Sequence, residues 1–158
     1  MSEEAALAKL AQLCSQSEHC RQEMSDKCAQ WGLDSEAADR VVARLIKEGF
    51  VDDSRYAPLF VRDKARFSGW GPLKVRMQLK AKCVDESVID DAIASFDSAE
   101  WHDILLRALR SKLRTAPAPA GEEPDLSYGS KLYASMVRFA LQRGFDYEEA
   151  RRAIEELC

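Results

Sequence analysis

The sequence predicts an all-α chain made of three tandem three-helix repeats that form an elongated curved arc. Three observations lead there. The first is an internal similarity: KCAQWGLDSEAADRVV around Gly32, MQLKAKCVDESVIDDAI around Cys83 and FALQRGFDYEEARRAI around Gly144. In each, a helix ends, an Asp follows two residues after the break (Asp34, Asp85, Asp146), and small or apolar residues recur four, seven and eight positions later. These are Ala38, Val41 and Val42, then Ile89, Ala92 and Ile93, then Ala150, Ala153 and Ile154. Each Asp is a natural N-cap, and the recurring positions make one helical face. The second observation is the period: the breaks lie 51 and then 61 residues apart, room for three helices of ordinary length joined by short loops. The third is composition. With 7 Gly and 5 Pro in 158 residues, 46% hydrophobic and 32% charged, the chain can fill a core and keep most helix faces solvated.

The first repeat, residues 1–49, is expected to hold helices over 3–15, over 17–31 with Ser17 as cap, and over 34–48. The second, 50–98, holds 53–67, 72–82 and 85–96. Asp52 and Asp53 cap the first of these, whose apolar face reads Tyr56, Leu59, Phe60 and Phe67 at near-helical spacing. Gly69-Trp70-Gly71 then breaks the chain, and Pro72 suits the first turn of the next helix. The third repeat, 99–158, holds 99–114, 128–143 and 146–157. Between the first two lies TAPAPAGEEPD, residues 115–125, rich in Pro, Ala, Gly and acid and without apolar periodicity. A flexible loop is expected there, and its length accounts for the wider second spacing.

No apolar run approaches the roughly 18 residues of a membrane span. Met1-Ser2-Glu3-Glu4 lacks the basic start and apolar region of a signal peptide, so a cytoplasmic chain with no membrane partner is expected. Five cysteines, an odd number spread through helical segments, fit a reducing compartment better than a disulfide framework. Cys14, His19, Cys20 and Cys28 gather metal-ligand types, but they contain no C-x-x-C pair and have no second cluster downstream. Small buried thiols are the expectation, with no metal. Catalysis has as little support. His19 and His102 belong to no nucleophile constellation, and the pairs Asp52-Asp53 and Asp90-Asp91 read as helix caps and solvated faces. Gly69-Trp70-Gly71 lacks the third glycine and the preceding strand of a phosphate loop. No enzyme activity, catalytic residue or cofactor is expected.

Charge placement points to binding. Between Arg55 and Lys82, eight basic residues face only Asp63, a net of seven positive charges in 28 residues of a chain whose total is -4. Residues 1–54 carry six basic and eleven acidic side chains, and residues 85–103 carry seven acids and no Lys or Arg. Arg62, Lys64, Arg66, Trp70, Lys74, Arg76 and Lys80 are the candidate contacts to an anionic partner, and Arg107, Arg110, Lys112 and Arg114 form a second basic run. Solvated helix faces produce such runs too. The aromatics interleaved with the first run, and the extended surface that stacked repeats offer, favour a partner. Tyr56, Phe60 and Phe67 are read as core, while Trp70, held between glycines at a corner, is left open between core and contact.

The chain resembles the RecX family, bacterial regulators of the RecA recombinase. The resemblance covers nearly its whole length and rests on four stretches. These are the opening from Cys14 to Cys20, then Gly49-Phe50-Val51-Asp52-Asp53-Ser54-Arg55-Tyr56-Ala57 with Phe60-Val61, then Lys64-x-Arg66-Phe67-x-Gly69-Trp70-Gly71 leading to Lys74-Val75 and Leu79, and finally Arg143-Gly144-Phe145. The cysteine-bearing opening and the Trp70 corner resemble the Bacteroidetes branch. Cys83 departs from the pattern, which has Gly before an apolar residue. A Cys with positive φ costs about 1 kcal/mol or more, so that helix is expected to end differently here. The resemblance implies an arc of three-helix modules lying in the groove of a RecA filament on single-stranded DNA and inhibiting the recombinase, with weak direct DNA binding; the sequence leaves the oligomeric state open, with a monomer favoured. The rival readings are an autonomous DNA-binding module with homeodomain-like units, disfavoured by the net charge of -4 and pI near 5.3, and a structural adaptor, which leaves the basic run unexplained.

Overall fold

Asp, Ser and glycine punctuation divides the chain into nine helices among the described residues: α1 (Glu3–Gln16), α2 (Arg21–Gln30), α3 (Ser35–Lys47), α4 (Asp53–Ser68), α5 (Pro72–Ala81), α6 (Glu86–Ala94), α7 (Ser98–Arg114), α8 (Lys131–Gln142) and α9 (Tyr147–Leu157). The computed structural model describes residues 1–116 and 121–158, and the fold is all-α, with no strand among them. The centre of the loop expected over 115–125, residues 117–120, lies outside the described residues.

The helices that follow the three breaks start where the repeat predicts. α3 begins after Asp34, whose carboxylate accepts from the Ala37 N–H at 2.8 Å, and α9 after Asp146, which accepts from the Glu149 N–H at 2.7 Å. A cap of this kind contributes about 1 kcal/mol. α6 begins after Asp85, whose carbonyl accepts from the Ile89 N–H at 3.0 Å. The recurring apolar positions face inward: Ala38, Val41, Val42, Ile89, Ala92, Ala150, Ala153 and Ile154 are buried, and Ile93 is half-buried.

The chain forms two compact units: Met1–Leu59 with Leu79–Ala92, and Phe60–Gln78 with Ile93–Cys158. In the first, α3 packs on α1 and α2 around Leu10, Met24, Cys28, Val41, Leu45 and Val51. In the second, α9 packs on α7 and α8, and Leu105, Leu109, Met136, Phe145 and Ile154 are the largest side chains fully removed from water. Each such side chain stabilises the fold by about 1.5–3 kcal/mol.

Several sequence expectations are corrected. α2 starts at Arg21, not after Ser17. Ser17 instead ends α1, and Glu23 reaches back to accept from the Cys20 N–H at 3.0 Å, closing a capping box at buried Cys20. α8 starts at Lys131 rather than 128, because the Ser130 hydroxyl accepts from the Tyr133 N–H at 3.0 Å. α6 stops at Ala94, where Phe96 donates back to the Ile93 carbonyl and Asp97 caps α7. Phe67 is not core: it is 85% exposed. The buried positions of α4 are Tyr56, Ala57, Val61 and Ala65; Phe67 shares a stripe with Tyr56 and half-buried Phe60, but it sits in the last turn of the helix, where that stripe is left uncovered.

Cys83 supplies the last correction. It adopts φ 59°, and α5 closes as α2 does at Gly32 and α8 at Gly144. Cys83 donates to the Lys80 carbonyl at 3.0 Å and Val84 to the Leu79 carbonyl at 3.2 Å, the same two bonds that Gly32 and Leu33 make to Ala29 and Cys28. The turn satisfies two helix carbonyls and buries Val84, and these gains outweigh the strain of a Cβ in the left-handed region.

Candidate nucleic-acid interface

The second unit is held at its basic surface by two chain corners in direct contact. After α4 the Gly69-Trp70-Gly71 corner meets the corner between α8 and α9: Gly71 donates to the Arg143 carbonyl at 2.6 Å and Leu73 to the Gly144 carbonyl at 2.9 Å. A Cβ at Gly71 would lie 2.5 Å from the Gly144 oxygen and 2.8 Å from Phe145 Cγ, and one at Gly144 would collide with Lys74. Only glycines allow two backbones this close. Arg143 adds a side-chain clasp: its Nη1 donates to the Ser68 carbonyl at 3.0 Å, and its guanidinium carbon lies 4.8 Å from the Phe139 ring centroid.

This junction presents Trp70. The indole is half-buried, with the Lys64 ammonium 5.0 Å and the Lys74 ammonium 4.6 Å from its ring centroid. Phe60 meets it edge-on at 6.5 Å, and Lys64 is also 5.7 Å from the Phe60 ring. Each cation over an aromatic face contributes about 0.5–1 kcal/mol at an exposed site. Trp70 therefore gathers two cations from helices on either side of the corner, positions ten residues apart in sequence.

A groove of about 680 Å³ in the same unit gathers a second set of cations. The C-terminal turn of α4 supplies Arg66, Phe67 and Ser68, α7 supplies Arg107, Lys112 and Arg114, and the last turn of α8 and its C-cap supply Phe139 and Arg143. The described lining contains five basic side chains and no carboxylate. Arg66 is compensated from outside the groove by Glu100, which takes a two-pronged contact at 2.7 and 3.0 Å. That guanidinium holds the Glu100 carboxyl below the usual carboxylate range, and Glu100 raises Arg66 further. The Lys112 ammonium sits 5.1 Å from the Phe139 centroid, so one ring carries both Lys112 and Arg143.

The other predicted contacts are placed apart from these. Arg62 is exposed and pairs with its neighbour Asp63 at 3.2 Å. Arg76 is half-buried on α5, and Arg110 is exposed on α7 outside the groove lining. Lys80 belongs to the first unit, where it pairs with Glu86 at 3.0 Å. Arg55 and Lys82, counted in the same basic run, contact Glu18 at 2.7 Å and Glu23 at 3.9 Å. The first unit also has a concavity of opposite sign, about 410 Å³, where Asp52, Asp53 and Asp85 outnumber Arg21. Much of the net positive charge counted along the chain is thus met by carboxylates distant in sequence.

Three cationic or aromatic side chains of the groove lie outside the contacts expected from the sequence: Arg143, which the sequence marks only by its motif, Phe139, which nothing local marks, and Phe67, whose spacing reads as core. The exposure of Phe67 is legible only once it is known that the cover over α4 ends before its last turn.

The cysteine cluster carries no comparable geometry. Burial raises the Cys14 and Cys28 thiols, and pushes Cys20 up to about 11. Among the described residues no three His, Cys, Asp or Glu side chains are placed to share a metal ion. His102 bonds Glu156 at 2.8 Å and His19 lies 3.2 Å from the Ser17 hydroxyl, both at the surface of their units. No helix among the described residues is long and apolar enough to cross a membrane.

Comparison with known proteins gives concordant matches. Residues 52–93 match the family model of the second three-helix domain of RecX. The regulatory protein RecX of Stenotrophomonas maltophilia is 34% identical over 136 residues, covering 86% of this chain and 77% of the relative. That of Chlorobaculum tepidum is 31% identical over 137 residues, covering 87% and 78%. The crystal structure of RecX from Lactobacillus salivarius superposes with a TM-score of 0.77 at 18% identity, covering 98% of this chain and 96% of that one.

Proposed function

Because the chain belongs to the RecX family of regulatory proteins, we propose that it binds RecA filaments on single-stranded DNA and inhibits the recombinase in DNA repair and the SOS response. The partner comes from the family resemblance. Support from this molecule is the clustering of cations within one unit, around Trp70 and along the groove, on a scaffold whose net charge is -4. An anionic filament offers phosphates and acidic side chains to such a surface, and phosphate contacts position a protein without choosing a sequence. The reading assigns Arg62, Lys64, Arg66, Trp70, Lys74 and Arg76 to the filament, with Lys80 and the α7 run as flanking contacts. It makes the chain a cytoplasmic regulator without catalytic residues or cofactor, built of three modules at 1–49, 50–98 and 99–158 that act as a monomer.

The experiment compares affinity for RecA-coated and bare single-stranded DNA, using the wild type and a Lys64→Glu, Lys74→Glu variant. The wild type is expected to prefer coated DNA. The variant, folded by circular dichroism, is expected to bind it about tenfold more weakly or worse, since each factor of ten needs only about 1.4 kcal/mol. Equal affinity for coated and bare DNA would favour an autonomous DNA-binding module. Unchanged affinity of the folded variant would remove the Trp70 cluster from the interface.

A further inference from the structure

We propose that the groove between the C-terminal turn of α4, α7 and the end of α8 is a phosphodiester site for single-stranded DNA. This rests on the filament reading and names the strand, not the recombinase, as the occupant of this surface. Three features of the groove carry it.

The first is charge in a line. Arg107 and Arg114 are seven residues apart on α7, with Ser111 between them, so they share one helical stripe and span about 10 Å along the axis. A compact anion needs one such contact; a linear polyanion uses both. The second is a fixed donor. The Arg143 guanidinium has five N–H donors, and its bond to Ser68 together with the Phe139 ring holds the group in one orientation at the groove. Holding it so lowers the ordering entropy lost on binding. The third is Phe67. A large apolar ring left 85% exposed at the rim of a basic groove has no packing role of its own size to perform, whereas stacking on a base uses it fully. This last feature selects the ligand. Stacked and paired bases of a duplex cannot lie on Phe67, and an acidic protein segment would meet the cations but has no base to place there.

The test is fluorescence anisotropy of a labelled oligo-dT across salt, with the full chain as wild type, Phe67→Ala, and Arg107→Ala with Arg114→Ala. All three changes lie at the surface, and circular dichroism checks the fold. The double variant is expected to lose about tenfold or more in affinity at low salt, and its plot of log K against log salt should flatten by about 1.4, two phosphates at about 0.7 each. Phe67→Ala should weaken binding roughly fivefold or more with the slope unchanged. A duplex of equal length should bind more weakly and ignore Phe67. Absence of oligo-dT binding by the wild type, or equal affinities for all three proteins, overturns the proposal. Polyglutamate competing as well as oligo-dT reassigns the groove to an acidic protein segment. RecA-coated DNA is the separate arm. If it is bound while oligo-dT affinity ignores the groove, the groove proposal falls and the filament reading stands. Groove-dependent oligo-dT binding with no preference for coated DNA refutes the filament reading alone.

Discussion

Replacing Cys83 by glycine should make the protein more stable. Cys83 holds φ 59°, where a Cβ crowds the following carbonyl, a strain of about 1–2 kcal/mol. Its side chain is exposed, and the bonds made by its backbone, from its N–H to Lys80 and from Arg21 to its carbonyl, do not involve the thiol. Glycine retains all of them. Against the relief stands the greater freedom of glycine in the unfolded chain, about 0.5–1 kcal/mol. The net expectation is a gain of about 0.5–1 kcal/mol, read as a midpoint rise of roughly 1–4 °C for a chain of this size. Cys83→Ala is the matched control: it removes the sulfur but keeps the Cβ, so it should melt with the wild type. Thermal and urea unfolding followed at 222 nm measure all three. If glycine proves no more stable than alanine, the Cβ carries no strain and the account of how α5 ends is wrong.

At the opposite extreme, Gly71→Ala forces a methyl to 2.5 Å from the Gly144 oxygen and should cost about 1–3 kcal/mol in the same melts; an unchanged midpoint would show that the two corners are free to separate. Thiol labelling should order the cysteines by environment, with exposed Cys83 and Cys158 alkylated quickly near pH 8 and Cys20, whose thiol is pushed up to about 11 by burial, protected until unfolding. A folded-state value raised in this way contributes stability that is complete below about 9 and lost as the pH rises through about 11, so alkaline melts should show the decline. Glu100 runs the other way. Its folded value is depressed by Arg66, so the contribution is present above its ordinary value near 4.5 and is lost as the pH falls through the folded one. Carboxyl NMR should give Glu100 a midpoint below 4.5 that moves back up in Arg66→Ala, and no movement would refute the pairing.

The features legible in the sequence are those written within one turn of helix. Asp34 and Asp146 cap the N–H groups three residues on, and the apolar positions four, seven and eight residues later need only helical periodicity to become a buried face. Pro72 opens α5 for an equally local reason. The start of α2 escaped because Ser17 and Cys20 compete as caps, and burial of Cys20 with the reach of Glu23 decides between them. The basic run was visible, but its division was not. Arg66 meets Glu100 34 residues away, Arg55 meets Glu18 37 residues away, and Arg143 joins Arg66 and Arg107 only through the contact between glycine corners. A sum of charges along the chain cannot separate a paired guanidinium from one lining a groove. Trp70 stood out because glycines flank it, whereas Phe67 was misplaced because near-helical spacing was extended one turn too far.

The most direct measurement of the central claim is the DNA-dependent ATP hydrolysis of RecA on single-stranded DNA as the chain is titrated in. The rate is expected to fall and saturate with the wild type. With Lys64→Glu, Lys74→Glu the fall should need about tenfold more protein, in line with the weaker binding expected when two cations on Trp70 are reversed. A rate unmoved by an excess of folded wild-type chain would contradict the claim that this protein regulates the recombinase through its filament.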